Sequence, residues 1–133
     1  MPTLPAQEPT IQELFDLRGK AALVTGGTGH LGSALCRALA EAGATVVVAS
    51  REQEKAQAFA DSLPAPFGAR HGGVALDQLD EKSREAGFAA AIEHAAGRLD
   101  ILINNAISRA AAAHDLTNVT AAEFDEHLRN NTA

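Results

Sequence analysis

A glycine-rich segment near the N-terminus constrains the fold more than any other part of the chain. The short apolar run from Ala21 to Thr25 is typical of a buried strand, and it leads directly into Gly26-Gly27-Thr28-Gly29-His30-Leu31-Gly32. Beyond Leu31, apolar residues recur at helical spacing as far as Ala42. A strand, a tight turn and a helix in this order present backbone N–H groups and a helix N-terminus to a phosphate. The segment therefore predicts a site for the pyrophosphate of a dinucleotide.

Three glycines of this segment have separate predicted roles. Gly26 allows the tight turn off the strand, Gly29 lets the pyrophosphate approach the backbone, and Gly32 lets the helix pack closely on the sheet. Because the triplet follows a predicted strand and opens a predicted helix, its context favours a binding loop. A tight turn without a ligand is the alternative.

Strand and helix patterns alternate along the rest of the chain. Buried strands are predicted over residues 21–25, 45–49, 71–76 and 99–103. Stripes of apolar residues at helical spacing predict three helices. The first stripe is Leu31, Ala34, Leu35, Ala38, Leu39 and Ala42; the second is Ala56, Phe59, Ala60 and Leu63; the third is Phe88, Ala89, Ile92, Ala95 and Ala96. A fourth helix is predicted to begin at the capping box that opens at Thr120. Because crossovers between parallel strands are right-handed, this order predicts an α/β fold with a doubly wound parallel sheet.

The N-terminal region is expected to lie outside this regular part. Residues 1–14 are predicted as a flexible lead, since three of the five prolines lie in residues 1–9. One short helical turn is predicted to open at Thr10.

Composition argues against several classes of function. The net charge of −6 and the scattered basic residues argue against a nucleic-acid partner. The sequence shows neither a secretion signal nor an apolar run of membrane-spanning length, and it predicts no metal site. The single cysteine, Cys36, fits a reducing compartment and is predicted to be a buried apolar residue rather than a nucleophile. A cytoplasmic protein without a membrane partner is therefore expected.

The end of the second predicted strand indicates which dinucleotide is preferred. A site for NAD usually has Asp or Glu there, which accepts hydrogen bonds from the ribose hydroxyls. This chain has Ser50-Arg51, where Arg51 fits a 2′-phosphate through charge-assisted hydrogen bonds and Ser50 adds a neutral one. The neighbouring Glu52 weakens the case, and a solvated arginine is the alternative. NADP is therefore favoured as the cofactor, with NAD left open.

These residues, with others at the ends of later strands, resemble the short-chain dehydrogenases/reductases from Phe15 to Ala133. The motifs that carry the resemblance are, in chain order, Leu17-Arg18-Gly19-Lys20, the loop Thr25–Gly32, Asp77, Asn104-Asn105-Ala106 and Asn131. The resemblance implies that residues 15–133 form the N-terminal half of a Rossmann-like NAD(P)-binding domain. It also implies a sheet of about four strands in the order 3-2-1-4.

The resemblance further implies roles for single residues. Asp77 would accept a hydrogen bond from the adenine amino group, and Asn131 would be the asparagine of the catalytic tetrad. Asn104 and Ala106 would lie at the nicotinamide end, with the first asparagine tying the central sheet together. The remaining cofactor contacts would come from the loop and the second strand: Thr25, Gly26, Thr28, Gly29, His30, Leu31, Gly32, Ser50 and Arg51. The implied activity is hydride transfer between the nicotinamide and a carbonyl or an alcohol.

Two positions depart from the pattern of the family. His30 stands where the standard-length subclass has a glycine, although the loop through Gly29 fits the pattern of extended and atypical members. His30 either points at the cofactor or covers the start of the helix. Ile107 replaces the glycine that follows Asn-Asn-Ala in the family.

The family's catalytic serine and Tyr-x-x-x-Lys belong to a later half, and these 133 residues contain no tyrosine. The chain alone is therefore expected to be inactive and to take a small-molecule substrate only together with that half. Two alternatives stay open: a dinucleotide-binding module without catalysis, and a vestigial half-domain. The fourth strand would be an apolar edge, so a homo-oligomer formed through it and the helix over residues 120–133 is expected.

Overall fold

The chain folds as an alternating series of strands and helices. The computed structural model describes residues 8–108 and 118–132. The elements are α1 (Ile11–Leu14), β1 (Ala21–Thr25), α2 (His30–Glu41), β2 (Thr45–Ser50), α3 (Gln53–Asp61), β3 (Gly72–Ala75), α4 (Glu81–His94), β4 (Ile101–Ile103) and α5 (Ala121–Thr132). Every strand pairing is parallel, and the sheet order is β3-β2-β1-β4.

This arrangement confirms the predicted α/β fold and strand order. The short helix expected at Thr10 is present as α1, and its threonine and Glu13 form a capping box. Residues 1–7 of the predicted flexible lead lie outside the described residues, as does Ala133. Within the described ranges, the structure contains no helix with both the length and the apolar character needed to cross a bilayer.

Strand β2 lies at the centre of the hydrophobic core. Residues Val46 and Val48 pack towards α2 and α3, whereas Val47 and Ala49 pack towards α4. All four side chains are buried, which is the pattern of a strand covered on both faces. The helices therefore lie on both sides of the sheet, as a doubly wound fold requires.

Helix α2 forms where it was predicted, but it faces the sheet differently. The buried positions are Gly32, Cys36 and Ala40, which lie beside the predicted stripe. Members of that stripe are only partly buried or are exposed, and Leu31 keeps 65% of its surface accessible. Small side chains at every fourth position let the helix approach the sheet closely. The volume of the side chains therefore determines which face of α2 packs on the sheet more than their hydrophobicity does.

Helix α4 shows the same departure, whereas α3 does not. In α4 the buried residues are Gly87 and Ala91, while Phe88 of the predicted stripe remains 43% exposed. In α3 the predicted Ala56 and Ala60 are buried as expected. Again the residues that contact the sheet are the smallest ones at four-residue spacing.

The outer edge of β3 is covered by two glutamine side chains of α3. Gln53 donates to the Gly73 carbonyl at 2.7 Å and accepts from the Ala75 N–H at 2.7 Å. Gln57 accepts from the Gly73 N–H at 2.9 Å. These are the backbone groups that a further strand would need, so α3 takes the place of a neighbouring strand at this edge.

The opposite edge of the sheet, β4, has no comparable cover among the described residues. Its side chains are half-buried at Ile101 and Ile103, while Leu102 between them is 52% exposed. Asp100, just before the strand, accepts the Ala21 N–H at 2.9 Å and pairs with Arg98 at 3.0 Å. The hydrogen bond from Ala21, with Arg98 adding to it, holds the pKa of Asp100 below its usual value.

Just after helix α4, Ala96 adopts a left-handed backbone conformation that alanine does not favour. The N–H groups of Ala96 and Gly97 donate to the carbonyls of Glu93 and Ile92, which is the pattern of a Schellman motif. Ala96 occupies the left-handed position of that motif, with φ at +55°. The equivalent position after α2 is a glycine, Gly43, with φ at +101°. The end of α4 therefore carries a steric cost that the end of α2 avoids.

We expect Ala96→Gly to raise the free energy of unfolding by about 0.5–1 kcal/mol, because glycine adopts this conformation without a Cβ clash. The Ala96 side chain is exposed, so no packing is lost. Ala90→Gly, at an exposed position inside α4, is the matched control and should lower the same quantity by about 1 kcal/mol. Urea unfolding measures both variants, and similar losses in the two would contradict the assignment of strain to Ala96.

Candidate dinucleotide site

The loop between β1 and α2 is shaped by two close approaches of backbone to backbone. Gly26 has φ at +63°, and a Cβ built there would lie 2.9 Å from the Ala106 Cα. A Cβ at Gly32 would lie 2.2 Å from the Gly26 carbonyl oxygen. The tight turn and the close helix packing predicted for these two glycines are therefore both present.

The N-terminus of α2 is open to an anion. Gly29 is its N-cap residue and provides no side-chain acceptor, and the first turn contains no acidic residue. Thr28, Gly29, His30 and Leu31 are all exposed. The start of α2, with the N–H groups of its first turn and the positive end of the helix dipole, therefore lies beside exposed residues, which is the arrangement that binds phosphate groups.

Beneath this loop, Gly27 and Cys36 lie in close contact between α2 and the sheet. A Cβ on Gly27 would lie 2.8 Å from Val48 Cγ1 and 3.1 Å from Cys36 Sγ, a constraint that the sequence did not indicate. Cys36 is fully buried, and burial raises the pKa of its thiol to about 11. The prediction that Cys36 is a buried residue is confirmed.

The loop is joined to the segment after β4 through Thr25 and Asn105. The Asn105 side chain donates to the carbonyl oxygens of Thr25 at 3.1 Å and Gly26 at 3.2 Å. The Thr25 hydroxyl accepts the N–H groups of Asn105 at 3.0 Å and Ala106 at 3.1 Å. It is the second asparagine of the motif that ties these strands together, and the role expected of Asn104 was therefore wrong. Asn104 itself is exposed.

At the end of β2, Arg51 is exposed and Ser50 is half-buried. In the described part of the chain, the Arg51 guanidinium makes no ion pair or hydrogen bond. Its acidic neighbour Glu52 is instead paired with Lys55, with 2.6 Å between Oε1 and Nζ. The Ser50 hydroxyl accepts the Glu52 N–H at 3.4 Å. Glu52 is thus held by its own helix, which leaves Arg51 free to meet an anion.

At the end of β3, Asp77 is held by the first turn of α4. Its N–H donates to the Ser83 hydroxyl at 2.9 Å, and its Oδ1 accepts the Leu79 N–H at 3.0 Å. The second carboxylate oxygen remains available as an acceptor among the described residues. Asp80 is the N-cap residue of α4, and its side chain accepts the Lys82 N–H at 3.0 Å.

Asn131 of α5 lies against the segment after β4. Its Oδ1 accepts the Ser108 N–H at 2.7 Å, and its Nδ2 donates to the Ser108 carbonyl at 3.2 Å. Nδ2 also donates to the His127 carbonyl of its own helix at 2.9 Å. The structure therefore brings Asn131 to the same end of the sheet as Asn105 and Ala106.

The parallel sheet and the open, glycine-shaped helix N-terminus define a Rossmann-type dinucleotide-binding fold. Residues 20–133 match the family model described as short chain dehydrogenase. The chain is 40% identical over 113 residues to the D-threitol dehydrogenase of Mycolicibacterium smegmatis, covering 84% of this chain and 43% of that protein. It is 38% identical over 90 residues to the 3-oxoacyl-(acyl-carrier-protein) reductase FabG of Aquifex aeolicus, covering 68% and 36%.

A solved structure shows the same relationship. A short-chain type dehydrogenase/reductase from Mycobacterium marinum superposes with a TM-score of 0.76 at 28% identity, covering 93% of this chain and 49% of that one. The chain therefore belongs to the short-chain dehydrogenase family, which implies a nicotinamide dinucleotide as cofactor. It spans less than half the length of these relatives.

We expect Gly32→Ala to lower the free energy of unfolding by about 1–3 kcal/mol, because its Cβ would meet a backbone carbonyl that has little freedom to move. Gly29→Ala is the matched control, since its Cβ would lie 3.2 Å from the same oxygen and should cost clearly less. Urea unfolding of both variants measures the difference. Equal losses would contradict the assignment of close packing to Gly32.

Proposed function

We propose that this chain binds NADP(H) in preference to NAD(H), with the pyrophosphate on the loop between β1 and α2. The preference for NADP(H) rests on the surroundings of Arg51. Its side chain is exposed, and the neighbouring Glu52 forms an ion pair with Lys55 rather than with Arg51. A guanidinium without a carboxylate partner matches the geometry and charge of a 2′-phosphate. Ser50 lies beside it at the end of the same strand and adds a neutral hydrogen bond.

The other contacts follow the same end of the sheet. Gly26, Gly29 and Gly32 shape the pyrophosphate site, with Thr28, His30 and Leu31 exposed around it. The free carboxylate oxygen of Asp77 accepts from the adenine amino group, and Asn104 and Ala106 lie at the nicotinamide end. The Thr25 hydroxyl accepts hydrogen bonds from the segment after β4, so Thr25 holds the site together instead of contacting the cofactor through that hydroxyl.

We propose that the activity served by this site is hydride transfer between the nicotinamide and a carbonyl or an alcohol. The two curated relatives are named for different substrates, D-threitol and 3-oxoacyl-(acyl-carrier-protein), so their names point to no single substrate. A bound dinucleotide supplies or accepts the hydride, and Asn131 occupies the position of the family's tetrad asparagine. Because these residues include no tyrosine, this chain alone binds the cofactor without turnover.

Calorimetric titration of the purified chain with NADPH and NADH tests the preference. We expect NADPH to bind more tightly, and Arg51→Ala to weaken NADPH by about tenfold while NADH changes by less than about twofold. Arg70→Ala, which removes the same charge just before β3 at the opposite end of the sheet, is the control and should change neither. Absence of binding by either nucleotide would refute the proposed function, and equal weakening of both would refute the role of Arg51.

We also propose that two copies of this chain associate along β4, with α5 contributing to the contact. Two observations support this: α3 covers the outer edge of β3, whereas β4 carries the exposed Leu102 on an edge without cover among the described residues. On α5, Phe124 is 54% exposed and adds apolar surface. A second copy presents the same uncovered edge, so the two edges satisfy one another's backbone groups.

Sedimentation of the chain over a range of concentrations tests this association. We expect an average mass that rises with concentration above the 13.8 kDa of one chain, and Leu102→Lys should keep the mass at that value, because a charge on an edge strand opposes pairing. Leu79→Lys, at another exposed leucine, is the control and should associate like the original chain. A single-chain mass at every concentration would refute the pairing.

A further inference from the structure

Gln78 lies between two segments of the site and has no part in the cofactor contacts proposed above. It follows Asp77 directly, and its half-buried side chain reaches the segment after β4. The two ends of its amide lie 2.9 Å from the Ala106 carbonyl oxygen and 3.0 Å from the Ser108 nitrogen. Because a carbonyl only accepts and an N–H only donates, the amide orientation that satisfies both neighbours places Nε2 at Ala106 and Oε1 at Ser108. It replaces the longer contact of 3.5 Å that Nε2 makes with the Asn130 carbonyl in the opposite orientation.

The peptide group of Ser108 is shared by two amide side chains. Its N–H lies 3.0 Å from the Gln78 Oε1 and 2.7 Å from the Asn131 Oδ1. Its carbonyl accepts from the Asn131 Nδ2 at 3.2 Å. A single residue thus connects the segment after β3 with helix α5.

Gln78 is itself held firmly at its backbone. Its carbonyl accepts from the Arg84 Nη1 at 2.6 Å, and the preceding Asp77 N–H donates to Ser83 at 2.9 Å. Both partners belong to the first turn of α4. The side chain of Gln78 therefore extends from a fixed backbone, which allows it to position what it contacts.

We propose that Gln78 is a positioning residue that sets the place of the Ala106–Ser108 segment and, through Ser108, of Asn131. The proposal rests on the proposed function, because this segment forms the nicotinamide side of the site. In physical terms, Gln78 supplies one donor and one acceptor to a segment that has left the sheet. Without it, the segment loses its link to β3 while Asp77 and the loop between β1 and α2 keep their own contacts.

Amide hydrogen exchange of the chain without ligand tests the first part. We expect Gln78→Met, which keeps the length and removes the amide, to raise the exchange rate of the Ser108 N–H about fivefold, because one acceptor is lost. Gln78→Glu keeps that acceptor and should retain most of the protection. Gln12→Met, on the exposed α1, is the control. Unchanged exchange at Ser108 in Gln78→Met would overturn the proposal, as would a general rise that includes Val47 in the core.

Titration with NADPH and with adenosine 2′,5′-bisphosphate tests the second part. The bisphosphate occupies only the adenosine side, so Gln78→Met should weaken NADPH about three- to fivefold and leave the bisphosphate within about twofold. Equal weakening of both would show a merely structural role and overturn the proposal. If the original chain binds neither, the proposed function fails, while the exchange of the Ser108 N–H still decides whether Gln78 positions the segment.

Discussion

The side-chain amide of Asn105 fixes the point at which β1, the glycine-rich loop and the segment after β4 meet. It donates to the last carbonyl of β1 and to the carbonyl of Gly26. A Cβ on Gly32 would lie 2.8 Å from the same amide nitrogen, so the first turn of α2 also rests against it. The direction of the helix N-terminus, and with it the aim of its free N–H groups, depends on this contact.

The order of strands and helices could be predicted from the sequence because each element has its own period and end signals. The run from Val46 to Ala49 is apolar without alternation, which is the pattern of a strand covered on both faces. The capping boxes at Thr10 and Thr120 also form where they were expected. These features are local, so no distant contact is needed to recognise them.

The faces of α2 and α4 could not be predicted in the same way, because both helices are rich in alanine on more than one side. An apolar period shows that a helix is present, yet it does not show which apolar side comes closest to the sheet. That choice depends on side-chain volume, and in α2 the residues nearest the sheet are Gly32, Cys36 and Ala40.

Similarly, the choice between Asn104 and Asn105 depends on where each side chain points after β4 ends, which two identical neighbouring residues do not reveal. Gln78 belongs to no motif, and its role depends on contacts with residues about thirty positions away.

The glutamine cover on β3 has a consequence for how copies of this chain can assemble. A sheet with two open edges can add further sheets on both sides without end, which is the geometry of a fibre. Here Gln53 and Gln57 occupy the backbone groups of one edge. Contact along β4 would use the remaining edge of each copy, so growth would stop at a closed two-fold pair. The two side chains of α3 thus make any edge-to-edge assembly of this sheet self-limiting.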